Sequence, residues 1–222
     1  MSRENRTSTG RVNALFRRMA RAVAWLYIRL FYRLSFTGLE NVPAGGPAIL
    51  VANHTGGGDI LAIHTAIKPW IHWVAKKELF KHKLFGTVLL KLGCIPVDRK
   101  KADLTAAREI VSALRNNQIV GVFPQATRVR PDRIPYVVPH SGAIRFAIKT
   151  ESPILPVGIS APFRLGGSVR IVFGKPINLR MPADSLNDAD LIDGLAVDVM
   201  RKVYALVGYD YQLVDQKGGA PS

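Results

Sequence analysis

The chain is predicted to take an α/β fold: a single mixed, largely parallel sheet covered by helices, with an N-terminal amphipathic helical extension. Three observations lead there. From residue 48 onward, short strand-like and longer helix-like segments alternate, the pattern of crossover connections. The strand-like segments are mostly continuous apolar runs rather than alternating ones, as in strands buried on both faces. With 222 residues, 48% of them apolar, the chain can bury one core of ordinary size. The lone cysteine, Cys94, excludes an internal disulfide framework and any CxxC metal or redox motif.

The extension comes first. Residues 1 to 35 carry eight arginines and one acid, Glu4, and so hold +7 of the formal +15 charge. Such an excess implies an anionic partner, whether nucleic acid, a membrane surface or a phosphorylated substrate. Arg11 to Leu34 contains no Gly or Pro and predicts a helix about 36 Å long. Val12, Leu15, Phe16, Met19, Val23, Leu26, Tyr27, Leu30 and Leu34 share one arc at 100° per residue. Arg11, Arg17, Arg18, Arg21, Arg29 and Arg33 take the opposite arc, with Trp25 and Tyr32 among them. This pattern fits a helix lying in a bilayer interface, an amphipathic helix docked on its own core, or a basic presequence. The uncharged run Ala22 to Ile28 is too short for a secretory signal, and no run is long enough to span a bilayer.

Pro43 to Pro47 marks a loop, after which Ala48 to Ala52 reads as a buried strand. Ile60 to Ile67 is a short helix stopped by Pro69, Ile71 to Ala75 a strand, Glu78 to Leu92 a helix, and Cys94 to Val97 a strand. Leu104 to Leu114 is helical and Ile119 to Phe123 is a strand, followed by a basic, proline-punctuated loop from Pro124 to Pro139. Ser141 to Lys149 is a helix, Ile154 to Ile159 a strand, Val169 to Phe173 an edge-type strand, and Ala189 to Val207 the last helix. The organisation is therefore a basic interface helix over 1–35, one domain over 36–215 and a polar tail over 216–222.

No HExxH or paired-cysteine pattern supports a metal site, no GxSxG a serine hydrolase, and no GxxxxGK[ST] a nucleotide loop. One constellation carries chemistry: Asn53-His54-Thr55-Gly56-Gly57-Gly58-Asp59, between a strand and a helix. On a regular helix, residues five apart point about 140° away from each other. Three glycines let the backbone curl instead, so that a ring nitrogen of His54 can meet the carboxylate of Asp59 at the helix start. That is a base with its orienter, and since no serine completes a triad, the nucleophile is the substrate's own hydroxyl. The plainer alternative is a helix cap beside an incidental histidine. A second cluster runs from Phe123 through Thr127, Arg128 and Arg130 to Arg133, at the end of an apolar strand, where α/β sheets place ligand loops. Guanidinium forks there suit a phosphate, although a solvated basic loop has the same composition. Asp98-Arg99-Lys100-Lys101 follows another strand in the same manner.

The order and spacing of these blocks, over about residues 36 to 178, resemble the bacterial 1-acyl-glycerol-3-phosphate acyltransferases of the glycerolipid acyltransferase superfamily. Asn53-His54 with Asp59 matches the family's NHxxxxD motif, and Gly93-Cys94-Ile95-Pro96-Val97-Asp98-Arg99 resembles its second block. Phe123-Pro124-Gln125-Ala126-Thr127-Arg128 resembles FPEGTR, and Pro153-Ile154-Leu155-Pro156-Val157 the fourth block. The resemblance implies direct transfer from acyl-CoA or acyl-carrier protein to the hydroxyl of lysophosphatidate. His54 would be the base and Asp59 its orienter. Arg99, Thr127, Arg128 and Arg130 would hold the acceptor, while Asn53, Gly93, Pro124, Gln125 and Pro156 would support the motifs. No bound cofactor or metal is implied, because the acyl thioester is a substrate.

The family's habit of membrane association turns the N-terminal helix toward an interfacial role on the cytoplasmic face of the membrane. Arg17, Arg18, Arg21, Trp25 and Phe31 would then meet an anionic bilayer rather than nucleic acid. Two departures bear on the acceptor. Gln125 and Ala126 stand where Glu and Gly are usual, and His140-Ser141-Gly142 stands where a Lys often precedes the glycine. They leave open a different lysolipid or hydroxyl acceptor, and beyond that a non-catalytic basic membrane-binding protein.

Overall fold

The computed structural model describes residues 3–100 and 102–214, with side chains from residue 14 onward except that of residue 183. The polar tail over 216–222 and the side chains of Arg3, Arg6, Arg11 and Val12 lie outside the described residues. Among the described residues seven strands form one sheet in the order β1-β7-β6-β2-β5-β3-β4. They are β1 (Arg33–Thr37), β2 (Ala48–Ala52), β3 (Ile71–Lys76), β4 (Ile95–Val97), β5 (Ile119–Val122), β6 (Ile154–Ile159) and β7 (Ser168–Phe173). All neighbouring pairs are parallel except β6 with β7. The mixed, largely parallel sheet is therefore as predicted, and its centre is β2, whose five residues are all buried.

Among the described residues six α-helices accompany the sheet: α1 (Arg3–Phe31), α2 (Gly58–Ala66), α3 (Lys83–Lys91), α4 (Leu104–Arg115), α5 (Gly142–Thr150) and α6 (Ala189–Ala205). Alternate side chains of the central strands enter two separate cores, as a pleat buried on both faces requires. Ile49 and Val51 of β2 pack with Ile110 of α4, Ile144 of α5 and Met200 of α6. Ala48, Leu50 and Ala52 face the other way, toward Ile63 of α2, Trp73 of β3 and Ile28 of α1.

Three expectations change. First, the N-terminal helix ends at Phe31, and Leu34 belongs to β1, which pairs in parallel with β7. Strand β7 is accordingly an interior strand, and the sheet edge is β1. Second, the helix expected over Glu78 to Leu92 is two elements, a 3-10 turn at Lys77–Lys81 and α3, separated by the extended residue His82. The chain doubles back there so that Gly86 lies against Phe80, whose carbonyl oxygen would be 2.6 Å from any added Cβ. Third, α1 seats its arginine side on the domain. Ala24 and Ile28 are buried, whereas Leu15, Met19, Val23, Leu26 and Leu30 are between 54% and 69% exposed. Among the described residues no helix is long and apolar enough to cross a membrane.

Candidate active site

The site forms beyond the C-terminal ends of β2 and β5, where a parallel sheet opens its ligand crevice. After Ala52 the chain leaves the sheet through Asn53. The Asn53 side chain donates to the carbonyl of Ile159 (2.9 Å) and accepts from its N–H (2.8 Å), closing β2 onto β6. Asn53 is thus a framework residue that aims the next one, His54.

The curl forms, but not through glycine backbone freedom: Gly57 is right-handed at φ −66°, none of Gly56, Gly57 and Gly58 has a positive φ, and only Gly58 lacks room for a Cβ, which would stand 2.7 Å from the Phe163 ring. The turn from Thr55 to Gly57 brings His54 Nδ1 to 2.7 Å from Asp59 Oδ2. Three further donors converge on the same carboxylate: Thr55 N–H (2.7 Å) and Gly56 N–H (2.9 Å) on Oδ2, and Thr55 Oγ1 (2.7 Å) on Oδ1. Asp59 is fully buried in the first turn of α2, so these four donors and the helix dipole replace the water it lost. A carboxylate only accepts, so His54 Nδ1 carries the proton of this bond. Its Nε2 remains as the nitrogen that can take a proton from a substrate. The Thr55 hydroxyl, absent from the sequence-derived set, is part of the cradle; its place inside the motif was the available signal.

The basic loop joins this turn directly. Val129 N–H donates to the His54 carbonyl at 2.9 Å, which ties the loop carrying Thr127, Arg128 and Arg130 to the backbone of His54. The guanidinium of Arg128 passes over Gly57, with Nη2 3.5 Å from where a Cβ would stand. Arg99 Nη1 donates to the Ala126 carbonyl, so Arg99 fixes the loop that presents Thr127 and Arg128. Partial burial lowers the Arg99 pKa from its ordinary value, offset in part by Glu78, yet leaves the group a cation. A cavity of about 690 Å³ adjoins the loop, lined by Asn53, Thr55, Arg130, Phe163, Tyr204 and Tyr209 among others. Phe163 and Tyr209 come from segments with no motif signal, and only the tertiary fold brings them here. Among the described residues no group of His, Cys, Asp or Glu side chains converges as a metal site.

Several sequence-derived assignments are corrected or narrowed. Gln125 is buried, and its Oε1 accepts from Tyr204 Oη on α6 at 2.9 Å. That bond satisfies only the amide oxygen: among the described residues Gln125 Nε2 is buried without a hydrogen-bond partner. Ala126 sits at φ 56°, the left-handed region where glycine is the unstrained choice. Pro124 and Pro156 are framework residues, the first buried under the loop and the second buried in β6 opposite Val51. Gly93 lies at the far end of the sheet, before β4. Its φ of 78° and the 2.5 Å from a notional Cβ to Arg17 Nη2 account for the glycine.

Of the residues expected to face a membrane, Arg18, Trp25 and Phe31 are exposed, but Arg17 and Arg21 turn inward. Their guanidinium carbons stand 5.2 and 5.4 Å from the ring centre of Trp70, and Arg21 donates to the Lys68 carbonyl at 3.0 Å. Burial lowers the pKa of both. A weakly hydrated guanidinium stacks on an indole at small desolvation cost, which is why these cations serve as the docking face.

Comparison with known proteins places this geometry. A family model described as Acyltransferase matches residues 33–160. The 1-acyl-sn-glycerol-3-phosphate acyltransferase of Bacillus subtilis is 31% identical over 146 residues, covering 63% of this chain and 71% of that protein. The protein of the same name from Borreliella burgdorferi is 32% identical over 128 residues, 56% of this chain and 50% of that one. The chain thus spans about half the length of the latter. The crystal structure of PlsC, the 1-acyl-sn-glycerophosphate (LPA) acyltransferase of Thermotoga maritima, aligns with a TM-score of 0.63 at 22% identity. The alignment covers 94% of this chain and 85% of that one, and establishes the common fold. The span matched by the family model holds the His54–Asp59 pair, the Arg99 contact and the 123–130 loop together, and on that span the chain belongs to the acyltransferase family.

Proposed function

We propose that this acyltransferase moves a fatty acyl group from acyl-CoA or acyl-carrier protein to the free hydroxyl of lysophosphatidate, giving phosphatidate, at the cytoplasmic face of a membrane. The observation that carries the proposal is the His54–Asp59 contact of 2.7 Å set beside the arginines of the 123–130 loop. His54 Nε2 takes the proton from the acceptor hydroxyl as its oxygen attacks the thioester carbonyl. The tetrahedral intermediate collapses with expulsion of the thiolate, and the imidazolium returns its proton to the sulfur. Asp59 stabilises the imidazolium between these two transfers. Arg128, Arg130 and Thr127 meet the acceptor phosphate, while Arg99 holds the loop.

Support for the membrane surface comes from α1. The helix is already seated on the domain through Ala24, Ile28, Arg17 and Arg21, yet the face from Leu15 to Leu30 points outward, apolar and unpaired. Arg18, Arg29 and Trp25 flank that face, as in helices lying at a lipid headgroup boundary.

The test is transfer of a labelled acyl group from each donor to a panel of lysolipids and simple hydroxyl acceptors. Lysophosphatidate is expected to be the preferred acceptor and His54→Ala to abolish transfer. Preference for another acceptor replaces the substrate, and transfer to none favours a binding-only protein. Replacing Leu15, Val23 and Leu30 by Ser is expected to release the protein from anionic vesicles without lowering its melting temperature. Unchanged vesicle binding refutes the interfacial role of that face.

A further inference from the structure

The ring of His54 rests on a column of rings that proton transfer by itself does not require. The imidazole is stacked on Phe123 at 4.2 Å and 16°, and Phe123 is stacked on Trp73 at 4.8 Å and 13°. Trp73 is 2% exposed, and its Nε1–H donates to His64 Nε2 at 3.1 Å. Burial, with repulsion from Arg21, His72 and Arg17, lowers the His64 pKa to about 3, so His64 is a neutral acceptor at physiological pH. On the adjacent strand, Gly121 leaves the face of Trp73 open: a Cβ there would come within 2.6 Å of the indole. Asp59 and His64 both belong to α2, so one helix reaches the base twice, at its edge directly and at its face through Trp73.

These contacts divide the control of one side chain. The Asp59 bond fixes the position of His54 Nδ1, but an imidazole held at one nitrogen can still swing about that bond. A flat ring against its face removes the swing and sets the direction of Nε2. Direction matters because displacement of a reacting group by about 1 Å can cost about 100-fold in rate. We propose that Trp73, anchored by His64 and acting through Phe123, is a positioning residue that sets the plane of the His54 imidazole. The inference rests on His54 being the base of the transfer reaction. Ordinary core packing would need neither a hydrogen bond from the indole to a buried neutral histidine nor two successive near-parallel stacks.

The experiment compares Trp73→Leu, which keeps an apolar core residue but removes the flat ring, with Trp73→Phe, which keeps a ring. Expected for Trp73→Leu is a fall in kcat of about 10- to 100-fold with KM within about threefold, and for Trp73→Phe a much smaller loss. A second readout needs no substrate. The His54 Nδ1 proton, hydrogen-bonded to a carboxylate, gives a far-downfield proton NMR line, expected to stay sharp in Trp73→Phe and to broaden in Trp73→Leu. A folded Trp73→Leu variant with wild-type kcat and an unchanged line overturns the proposal, as do equal losses in both variants with KM rising in parallel. Should Trp73→Leu fail to fold, Gly121→Ala, which tilts the indole by one methyl group, takes its place with the same outcomes. If the wild type transfers to no acceptor, the acyl-transfer reading fails, and the NMR line still decides whether the column orients His54.

Discussion

Replacing Asp59 by Asn probes the proposed role of His54 and the cradle around the carboxylate together, and the expected size of the effect follows from the four donors around the carboxylate. An Asn side chain can place its oxygen where Oδ2 now accepts from His54, Thr55 N–H and Gly56 N–H. Its amide nitrogen then faces the Thr55 hydroxyl, which can rotate to accept instead. All partners stay satisfied, and the loss is confined to charge. Charge-assisted bonds exceed neutral ones by about 1 kcal/mol each, so the variant is expected to lose about 3 kcal/mol and to melt about 6–12 °C lower. Catalysis loses more. A full charge 2.7 Å from the imidazolium interacts at about 6 kcal/mol for an effective dielectric constant of about 20. If about half of that is realised when the proton arrives, kcat falls about 100- to 1,000-fold with KM nearly unchanged. Asp59→Ala strands three half-buried donors, His54 Nδ1–H and the N–H groups of Thr55 and Gly56, at about 1–3 kcal/mol each, a large share of the whole folding stability, while the Thr55 hydroxyl keeps the Ala161 carbonyl. The assay is steady-state transfer at saturating acyl thioester, with urea unfolding of both variants. A folded Asp59→Asn enzyme within tenfold of wild-type kcat, or one changed only in KM, refutes the orienting and charge-stabilising role.

Two further outcomes follow from other sites. Ala126→Gly relieves a left-handed alanine, worth about 1–2 kcal/mol, and returns about 0.4–1 kcal/mol to the looser unfolded chain; a gain of about 0.5–1 kcal/mol and about 2 °C in melting temperature is expected, and a lower melting temperature contradicts it. His64 has its folded pKa lowered from 6.5 to about 3, so its contribution to stability is present above about pH 6.5 and is lost as pH falls toward 3, because only the unfolded chain takes up the proton. The stability difference between wild type and His64→Gln is therefore expected to shrink by about 2 kcal/mol from pH 7 to pH 5 in urea titrations, and a constant difference would show that His64 is not buried neutral.

Much of the site was legible because its residues are neighbours in the chain. His54 and Asp59 are separated by a single short turn, and the loop arginines follow directly on an apolar strand; the glycines in that turn were misjudged, since their φ values are ordinary and only Gly58 is required, by the distant Phe163. The two arcs of α1 were legible for the same reason, since helical periodicity is local. Which arc docks was not. It depends on Trp70 and the Lys68 carbonyl, about 50 residues away, offering a stacking surface and an acceptor to Arg17 and Arg21. Strand β1 was hidden likewise: Leu34 continues the apolar period of the helix, and only pairing with β7, with Leu34 opposite Val169, makes it a strand. The direction of Gln125 was set by Tyr204, 79 residues further on, whose hydroxyl donates to the buried amide oxygen.

The sequence by itself determined the α/β class, the turn that unites His54 and Asp59, and the presence of a helix with one basic and one apolar side. Each of these rests on spacing and periodicity within a few residues. The tertiary structure decided which side of that helix meets the domain, where Gln125 points, and that the His54 ring lies on Phe123 and Trp73. Those outcomes are choices among burial partners distant in the chain, where desolvation, stacking and hydrogen-bond satisfaction are settled only once the sheet has brought the surfaces together.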